Sequence, residues 1–250
     1  MQRPSPVFAP ALFCLLLALT FATTRSSARQ VTSTKGAAAA ALEQEVLREI
    51  NLARTRPAEY AAYLEQLRPY FKGKEYRRPG MPGLLTQEGT EALDEAISFL
   101  RAARPAPALT LSQGMYSGAR ELVRDQAGTD STGHRGADGS FCEQRAQRFG
   151  KWHEPIGENL SYGSDTARER VLTLLIDDGF ANRGHRQRLL GTSFRVAGVA
   201  CGDHKLGAMC VITLAGGFTD GAPKATLPAA KPAQPAVKTL SPVPPGARRF

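Results

Sequence analysis

The residues best suited to chemistry in this chain are two histidines and two acids in its second half. His134 lies in the run S-T-G-H-R-G, Glu158 in I-G-E-N-L, and Asp178 and His185 in D-D-G-F-A-N-R-G-H-R. We expect these four side chains to converge on one cleft. Imidazoles can bind a divalent metal ion such as Zn²⁺, and carboxylates can fix their tautomers or join the ligand set. The same groups could instead act on water or a substrate as acid and base.

A structural alternative stands beside both chemistries. The two acids could pair with protonated histidines and so tie a loop, a strand and a helix together. Asp178 would lie at a helix C-terminus, where the helix dipole disfavours a negative charge. An acid at this electrostatically unfavourable position indicates a functional site. Asp177 is the competing candidate, because it is adjacent to Asp178 and chemically identical.

No nucleophile stands out near the candidate site. Ser131 and Ser161 lie three residues from His134 and Glu158, but neither is in a G-x-S-x-G turn, so capping or turn roles are favoured. Cys142 has no activating base beside it, and we expect a buried free thiol.

The formal charge of +9 is concentrated at the two ends of the chain. Residues 1–30 and 221–250 carry eight basic residues and no acid, which leaves 24 basic against 23 acidic residues in 31–220. A domain so close to neutral lacks the basic surface that nucleic-acid binding requires. The basic tail could still contact a cell surface or another polyanion weakly.

The first residues are typical of an export signal. A basic residue, Arg3, precedes an apolar run from Ala11 to Ala22, which is short for a membrane span and suits a signal-peptide core. We therefore expect a signal peptide at 1–22, a linker at 23–38, a folded domain at 39–220 and a disordered Pro/Ala/Lys-rich tail at 221–250. The expected location is secreted, periplasmic or on the cell surface.

Export changes the interpretation of the remaining cysteines. Cys201 and Cys210 flank the turn-rich segment G-D-H-K-L-G-A-M between two runs typical of strands. A disulfide across such a hairpin is geometrically easy in an oxidising compartment. His204, within the turn, is expected to be exposed to solvent.

Periodicity predicts helices followed by a late β-hairpin. Apolar residues recur at helical spacing from Leu42 to Ala53, and further helices are predicted after Pro57, over 90–104, after Ser112, over 141–149 and over 167–178. Strands are predicted at 157–162, 195–201 and 209–218, and residues 68–83 are predicted to form a loop. The fold class is therefore α+β, with one layered domain.

Three short motifs resemble those of one family. N-L-A-R at 51–54, G-E-N-L at 157–160 and G-H-R at 184–186 are similar to motifs of the CAP superfamily, the SCP-like cysteine-rich secretory, antigen 5 and pathogenesis-related 1 proteins, in particular its bacterial branch. The resemblance covers roughly 40–219 and implies an α-β-α sandwich. This chain departs from the family by a long insertion at 68–108 and by having few cysteines.

The resemblance also implies a cleft of two histidines and two acids. Carried over by position, the two histidines are His134 and His185 and the two acids are Glu158 and Asp178. We expect the histidines to bind Zn²⁺ or another divalent cation, and the acids are the candidate catalytic residues. The expected function is an exported binding module for a metal ion and a small apolar or peptide-like ligand, without robust catalysis. The alternative is a metal-dependent, protease-like hydrolase with Glu158 as general base.

Overall fold

The computed structural model describes the backbone of residues 18–80, 83–163 and 166–221, and within these ranges the side chains from residue 36 onward. The predicted signal peptide and C-terminal tail lie almost wholly outside these residues. The chain divides into two compact units, Met1–Ala40 and Ala41–Phe250, and the fold below is that of the second unit. Among the described residues, no helix is both long and apolar enough to cross a membrane.

The described helices follow the predicted order, with one addition near the site. Their bounds are α1 Ala18–Thr55, α2 Pro57–Glu65, α3 Thr90–Ala102, α4 Gln113–Gln126, α5 Cys142–Gln147, α6 Ala167–Ile176 and α7 Gly184–Leu190. The segment expected to be a linker, 23–38, is part of α1. It contains no proline and a single glycine, Gly36, so little in it interrupts a helix. The short helix α7, which carries His185, was not predicted.

The strands form a small sheet and a larger one. The small antiparallel sheet has the order β1 (Phe71–Lys72), β2 (Glu75–Tyr76) and β3 (Leu84–Leu85). The larger sheet has the order β4-β6-β7-β5, formed by β4 (Thr110–Leu111), β5 (Gly150–Gly163), β6 (Val196–His204) and β7 (Gly207–Asp220). The strand β5, which carries Glu158, lies at one edge of this sheet and pairs with β7.

The larger sheet lies between two layers of helices. Side chains of β6 and β7 alternate, so that Val199 and Ile212 join a core with α2, α3 and α6, whereas Ala200 and Val211 pack against α4. This arrangement is the predicted α-β-α sandwich, and it confirms the α+β fold class. The two faces of β5 therefore look into different helical layers.

The β6–β7 hairpin contains the predicted disulfide. Cys201 and Cys210 are directly opposite in the register and are joined by a disulfide bond, with both residues buried on the α6 side of the sheet. The free thiol of Cys142 is buried, as predicted. Burial raises the pKa of Cys142 to about 12, so this thiol is a poor nucleophile near neutral pH.

Residues 68–83, which were predicted to be a loop, contain the first two strands of the small sheet, and the third, β3, follows directly. Phe71 is buried against the main core and contacts Tyr76, with 4.7 Å between ring centroids. Gly73 has a positive φ of 61° between β1 and β2, which is the backbone that a tight hairpin turn needs. The loop prediction was wrong because these strands are only two residues long and show no alternation.

The N-L-A-R motif stabilises the domain rather than lining the site. Asn51 mimics a neighbouring strand, since Nδ2 donates to the Leu109 carbonyl at 3.0 Å and Oδ1 accepts from the Leu109 amide at 2.7 Å. Arg54 is fully buried and donates to four backbone carbonyls, those of Pro107, Leu189, Gly191 and Phe194. Burial, with the nearby charge of Arg195, lowers the pKa of Arg54 to about 10.

We predict that Arg54→Met lowers the free energy of unfolding by about 3 kcal/mol or more, because four carbonyls lose their donor. Arg56→Met is the control, since Arg56 is exposed and its one ion pair among the described residues is with Glu59, three residues on. Urea denaturation followed by circular dichroism measures both variants. Equal stability of the two would refute the structural role of Arg54.

Candidate functional site

Glu158 is a buried carboxylate on the α4/α5 face of β5. Only 4% of the residue is exposed, and it lies opposite Thr213 in the β5–β7 register. Oε2 accepts from Arg145 Nη2 at 2.7 Å and from Thr213 Oγ1 at 3.2 Å, while Oε1 lies 3.0 Å from His134 Nδ1. Because burying an ionised carboxylate without partners is costly, these contacts make its charge tolerable.

Arg145 holds the Glu158 carboxylate and the loop that carries His134. It belongs to α5 and is 1% exposed. Nη1 donates to the carbonyls of His134 and Ser140 at 3.0 and 2.8 Å. One guanidinium therefore fixes both the acid and the backbone of the histidine that contacts it. Arg145 was not predicted as a site residue, because no spacing rule distinguishes it from the arginines around it.

His134 is fixed by its backbone but keeps an open ring edge. The Gly133 amide donates to Tyr162 Oη at 3.0 Å, and Gln126 Nε2 donates to the Gly133 carbonyl at 2.8 Å. The His134 side chain is 42% exposed. An ionised carboxylate only accepts hydrogen bonds, so the contact with Glu158 requires a proton on Nδ1, and in the neutral imidazole the lone pair is then on Nε2.

Asp177 and His185 form the second pair of an acid and an imidazole. Asp177 ends α6 in the left-handed conformation, with φ of 56°. Its Oδ1 lies 2.6 Å from His185 Nδ1, and Oδ2 accepts from the His185 and Arg186 amides at 2.8 and 3.3 Å. Asp177 thus orients the His185 ring and also supports the first turn of α7. The ring of Phe180 meets that of His185 edge-on, at 4.9 Å between centroids.

Asp178 does not contact His185, and this corrects the position predicted for the second acid. Its carboxylate accepts from the amides of Gln87, Glu88 and Gly89 at 2.7, 2.8 and 3.3 Å. These residues lead into α3, so Asp178 supports the start of that helix. The left-handed residue Asp177 redirects the chain between the two aspartates, and their side chains therefore reach different helices.

Adjacent residues of β5 link the two pairs. Glu158 faces the α4/α5 layer, and the next residue, Asn159, faces the α6/α7 layer. Asn159 Nδ2 donates to the His185 carbonyl at 3.0 Å. The two pairs thus approach the edge strand from opposite faces, and β5 holds both.

Two arginines beside His185 form ion pairs with acids of the α3 region. Arg183 binds Glu88 and Glu95, each at 2.6 Å, and Arg186 binds Glu95 at 3.0 Å. The hydrogen bonds from Arg183 lower the pKa of Glu88 to about 2. These ion pairs fasten the segment that leads to His185 onto α3.

His204 is buried, which corrects the expected exposure. Its Nε2 donates to the Ser131 carbonyl at 2.8 Å, and Nδ1 accepts from the Leu206 amide at 3.1 Å. The ring of Tyr162 packs against it at 4.9 Å. His204 therefore anchors the loop that precedes His134 to the β6–β7 hairpin.

A complete protein-built metal site is absent from the described part of the chain, which contains no group of three or more His, Cys, Asp or Glu side chains placed to hold an ion. Both carboxylates bind Nδ1 of a histidine, and each leaves Nε2 for another partner. Each pair therefore offers one imidazole nitrogen as a ligand, but within the described residues the four predicted side chains are not placed together as a group that could hold an ion.

Comparison with known proteins identifies the relatives of this chain. The model of the CAP, cysteine-rich secretory protein family matches residues 75–213, more than half of the chain. No curated protein sequence matches. An extracellular protein containing an SCP domain from Bacillus anthracis str. Ames is 20% identical with a TM-score of 0.36, over 50% of this chain and 39% of that one. The CAP domain of Enterococcal PrgA is 16% identical with a TM-score of 0.31, over 42% of this chain and 50% of that one.

We predict that Asp177→Asn and Asp178→Asn have separable effects. Only Asp177→Asn should change the tautomer of neutral His185, because it removes the carboxylate that accepts from Nδ1. Both should lower stability, since each aspartate binds backbone amides. Long-range ¹⁵N–¹H NMR of the imidazoles measures the tautomer. A tautomer change in Asp178→Asn but not in Asp177→Asn would reverse the assignment.

We also predict an acid-dependent loss of stability at the segment that carries His185. The pKa of Glu88 is lowered in the folded chain to about 2, whereas a free Glu has a pKa of about 4.3. The ion pair with Arg183 therefore stabilises the fold above that free value and is lost as the pH falls toward the folded one. In urea unfolding at a series of pH values, the free energy of unfolding of Glu88→Gln should fall less than that of wild type in this pH window.

Glu91→Gln is the matched control for that series. Glu91 lies in the first turn of α3, is exposed and has no ion-pair partner among the described residues. Its pH dependence should follow wild type. Parallel curves for wild type and Glu88→Gln would show that the ion pair contributes nothing.

Proposed function

Since the chain belongs to the CAP family of cysteine-rich secretory proteins, we propose that it is an exported binding module whose two histidines hold a divalent metal ion beside a small apolar or peptide-like ligand. The observation that carries this proposal is the matched arrangement of the two imidazoles. In each pair, a buried carboxylate binds Nδ1 and leaves Nε2 available. Carboxylates bound in this way orient metal-binding histidines and raise their basicity.

The exposure of the two rings fits an open binding site. The side chain of His134 is 42% exposed and that of His185 is 18% exposed, whereas their carboxylate partners are almost completely buried. In this proposal the buried carboxylates orient the imidazoles, and the more exposed imidazoles contact the ligand. Two protein ligands give weaker metal binding than a closed structural zinc site, so a bound molecule can complete the coordination.

The hydrolase alternative fits the geometry less well. A general base needs a carboxylate oxygen within reach of the water or hydroxyl proton that it removes. Glu158 is 4% exposed, and its two oxygens already contact His134, Arg145 and Thr213. Within the described residues, Cys142 is the one free thiol, and burial makes it unreactive. Binding without robust turnover is therefore the better-supported function.

Export is part of the same proposal. The disulfide between Cys201 and Cys210 is the kind of cross-link that persists in oxidising compartments. The family is named for secretory proteins, and one similar structure is described as extracellular. We infer a secreted, periplasmic or cell-surface location.

Zinc titration by calorimetry tests the metal site. We expect the double variant His134→Ala/His185→Ala to bind Zn²⁺ at least about tenfold more weakly than wild type, because both available Nε2 atoms are removed. The control is His153→Ala, because His153 is an exposed histidine that bonds Thr219 and lies outside the two pairs.

Two results would overturn the metal site. Equal uptake by wild type and the double variant would place the zinc elsewhere, and no uptake by wild type would remove the metal from the proposal. A panel of peptides and esters checks catalysis separately. Turnover that a chelator and Glu158→Gln both abolish would favour the hydrolase instead.

A further inference from the structure

A second concave feature lies along β5 from Glu158, beyond the two acid–histidine pairs Glu158–His134 and Asp177–His185, which we call the paired site. Glu143 of α5 and Trp152, Glu154, Pro155 and Ile156 of β5 line an open pocket of about 470 Å³. None of these five residues belongs to the acid–histidine pairs. Ile156 is two positions before Glu158 on the same strand, so the pocket continues the surface on which His134 lies.

A β-bulge gives this part of β5 its shape. The register of β5 with β7 shifts between His153 and Ile156, which leaves Glu154 and Pro155 outside regular pairing. The opposing residue is Gly216, where an added Cβ would lie 2.0 Å from the Glu154 carbonyl oxygen. Only glycine fits at that contact. Trp152 and Glu154 both line the pocket beside this bulge.

The pocket combines an indole with two carboxylates that lack basic partners. Neither Glu143 nor Glu154 forms an ion pair within the described ranges, and the indole N–H of Trp152 has no hydrogen-bond partner there. The arginines nearest to Glu143 in sequence are engaged elsewhere, since Arg145 binds Glu158 and Arg148 binds Glu121 and Asp138. Negative charge at an indole face favours a cationic group, which gains both Coulomb and cation–π attraction.

We propose that this pocket binds the cationic side chain of a lysine or arginine in a peptide. This inference rests on the proposed function and narrows its ligand to peptides with a basic residue. The aliphatic part of a lysine would pack on Trp152, Pro155 and Ile156, and its ammonium group would lie between Glu143 and Glu154. A peptide held there could run along the edge strand toward the imidazoles.

The same chemistry could come from two sources, an external peptide or the chain's own lysines. Lys224, Lys231 and Lys238 follow the end of β7 at Asp220, which pairs with Gly150, two residues before Trp152. The distance along the chain is sufficient for any of them to reach the pocket. Both sources need the same pocket, and separate variants can distinguish them.

Trp152 is the only tryptophan of the chain, so its fluorescence reports on the pocket directly. The probes are acetyl-Ala-Lys-Ala-amide and the matched peptide with norleucine, which keeps the aliphatic chain and lacks the ammonium group. We expect saturable changes with the lysine peptide and binding about tenfold weaker with norleucine, given the size of cation–π and exposed ion-pair contributions. Binding of the lysine peptide should also weaken with added salt.

Variants of the full chain locate the binding. Glu143→Gln/Glu154→Gln should weaken the lysine peptide about tenfold and leave norleucine unchanged, whereas the exposed control Glu91→Gln should behave as wild type. Circular dichroism melting checks that the variants fold. Tighter binding after Lys224, Lys231 and Lys238 are changed to Gln would identify the tail as a competing occupant, and unchanged binding would identify an external peptide. Both results support the pocket.

Equal affinity for the two peptides, no saturable change, or full lysine binding by the double glutamine variant would each overturn the proposal. The outcome of the zinc titration does not depend on these peptide-binding results. A wild-type chain that takes up no zinc but prefers lysine would lose the metal site and keep the pocket. A chain that takes up zinc through His134 and His185 but shows no lysine preference would do the reverse.

Discussion

The paired site depends on one buried negative charge. Glu158 lies beneath the surface with Arg145, Thr213 and His134 around its two oxygens. Without those partners, a carboxylate in this position would destabilise the fold, because no interaction would compensate for the free-energy cost of removing its charge from water. Arg145 offsets the charge and, through the carbonyls of His134 and Ser140, holds the loop above it. The same guanidinium therefore stabilises the core of the site and sets the position of its exposed imidazole.

Asp177 has the corresponding role on the other face of the sheet, where it orients His185. It is buried, it binds the first amides of α7, and its remaining contact fixes the His185 ring. Both histidines are thus oriented through Nδ1 by an acid that solvent hardly reaches. Under the proposed function, preorganisation of this kind would lower the entropy lost when a ligand binds. The edge strand β5 lies between the two pairs and contacts both, through Glu158 and Asn159.

The sequence predicted the elements well where their signals are local. Apolar spacing predicts α3, Ser112 caps α4 by accepting from the Met115 amide, and Pro57 begins α2. Cys201 and Cys210 were predicted to pair because they flank a turn between strands, and they do. The small sheet, two of whose strands lie within 68–83, was not predicted because strands of two residues leave no periodicity to detect.

The details of the site needed the three-dimensional structure. Asp177 and Asp178 are chemically identical neighbours, and the left-handed backbone at Asp177 decides which of them meets His185. Arg145 has no local signal, since its role comes from contacts with residues 5 to 13 positions away. His204 looked like a turn residue, but its ring bonds a carbonyl 73 positions away. Sequence patterns place chemical groups on elements, and long-range contacts determine what those groups do.

The division of roles among the motifs follows from the same contacts. N-L-A-R joins α1 to distant backbone and stabilises the domain, whereas G-E-N-L supplies the acid and the asparagine that hold the two histidine pairs. A short motif can therefore mark either kind of constraint. In this chain, the distinction lies in whether the buried polar group binds backbone alone or also an imidazole that solvent can reach.

A double-mutant cycle on Arg145 and Glu158 tests most directly whether this ion pair is the central constraint. Urea denaturation of wild type, Arg145→Met, Glu158→Gln and the double variant gives the coupling free energy. The account predicts that each single variant loses about 3–5 kcal/mol, because a buried charge or polar group loses its partner. The double variant should lose at least about 2 kcal/mol less than the two single losses together. Losses that simply add would contradict the account, since they would show that the two residues stabilise the domain independently.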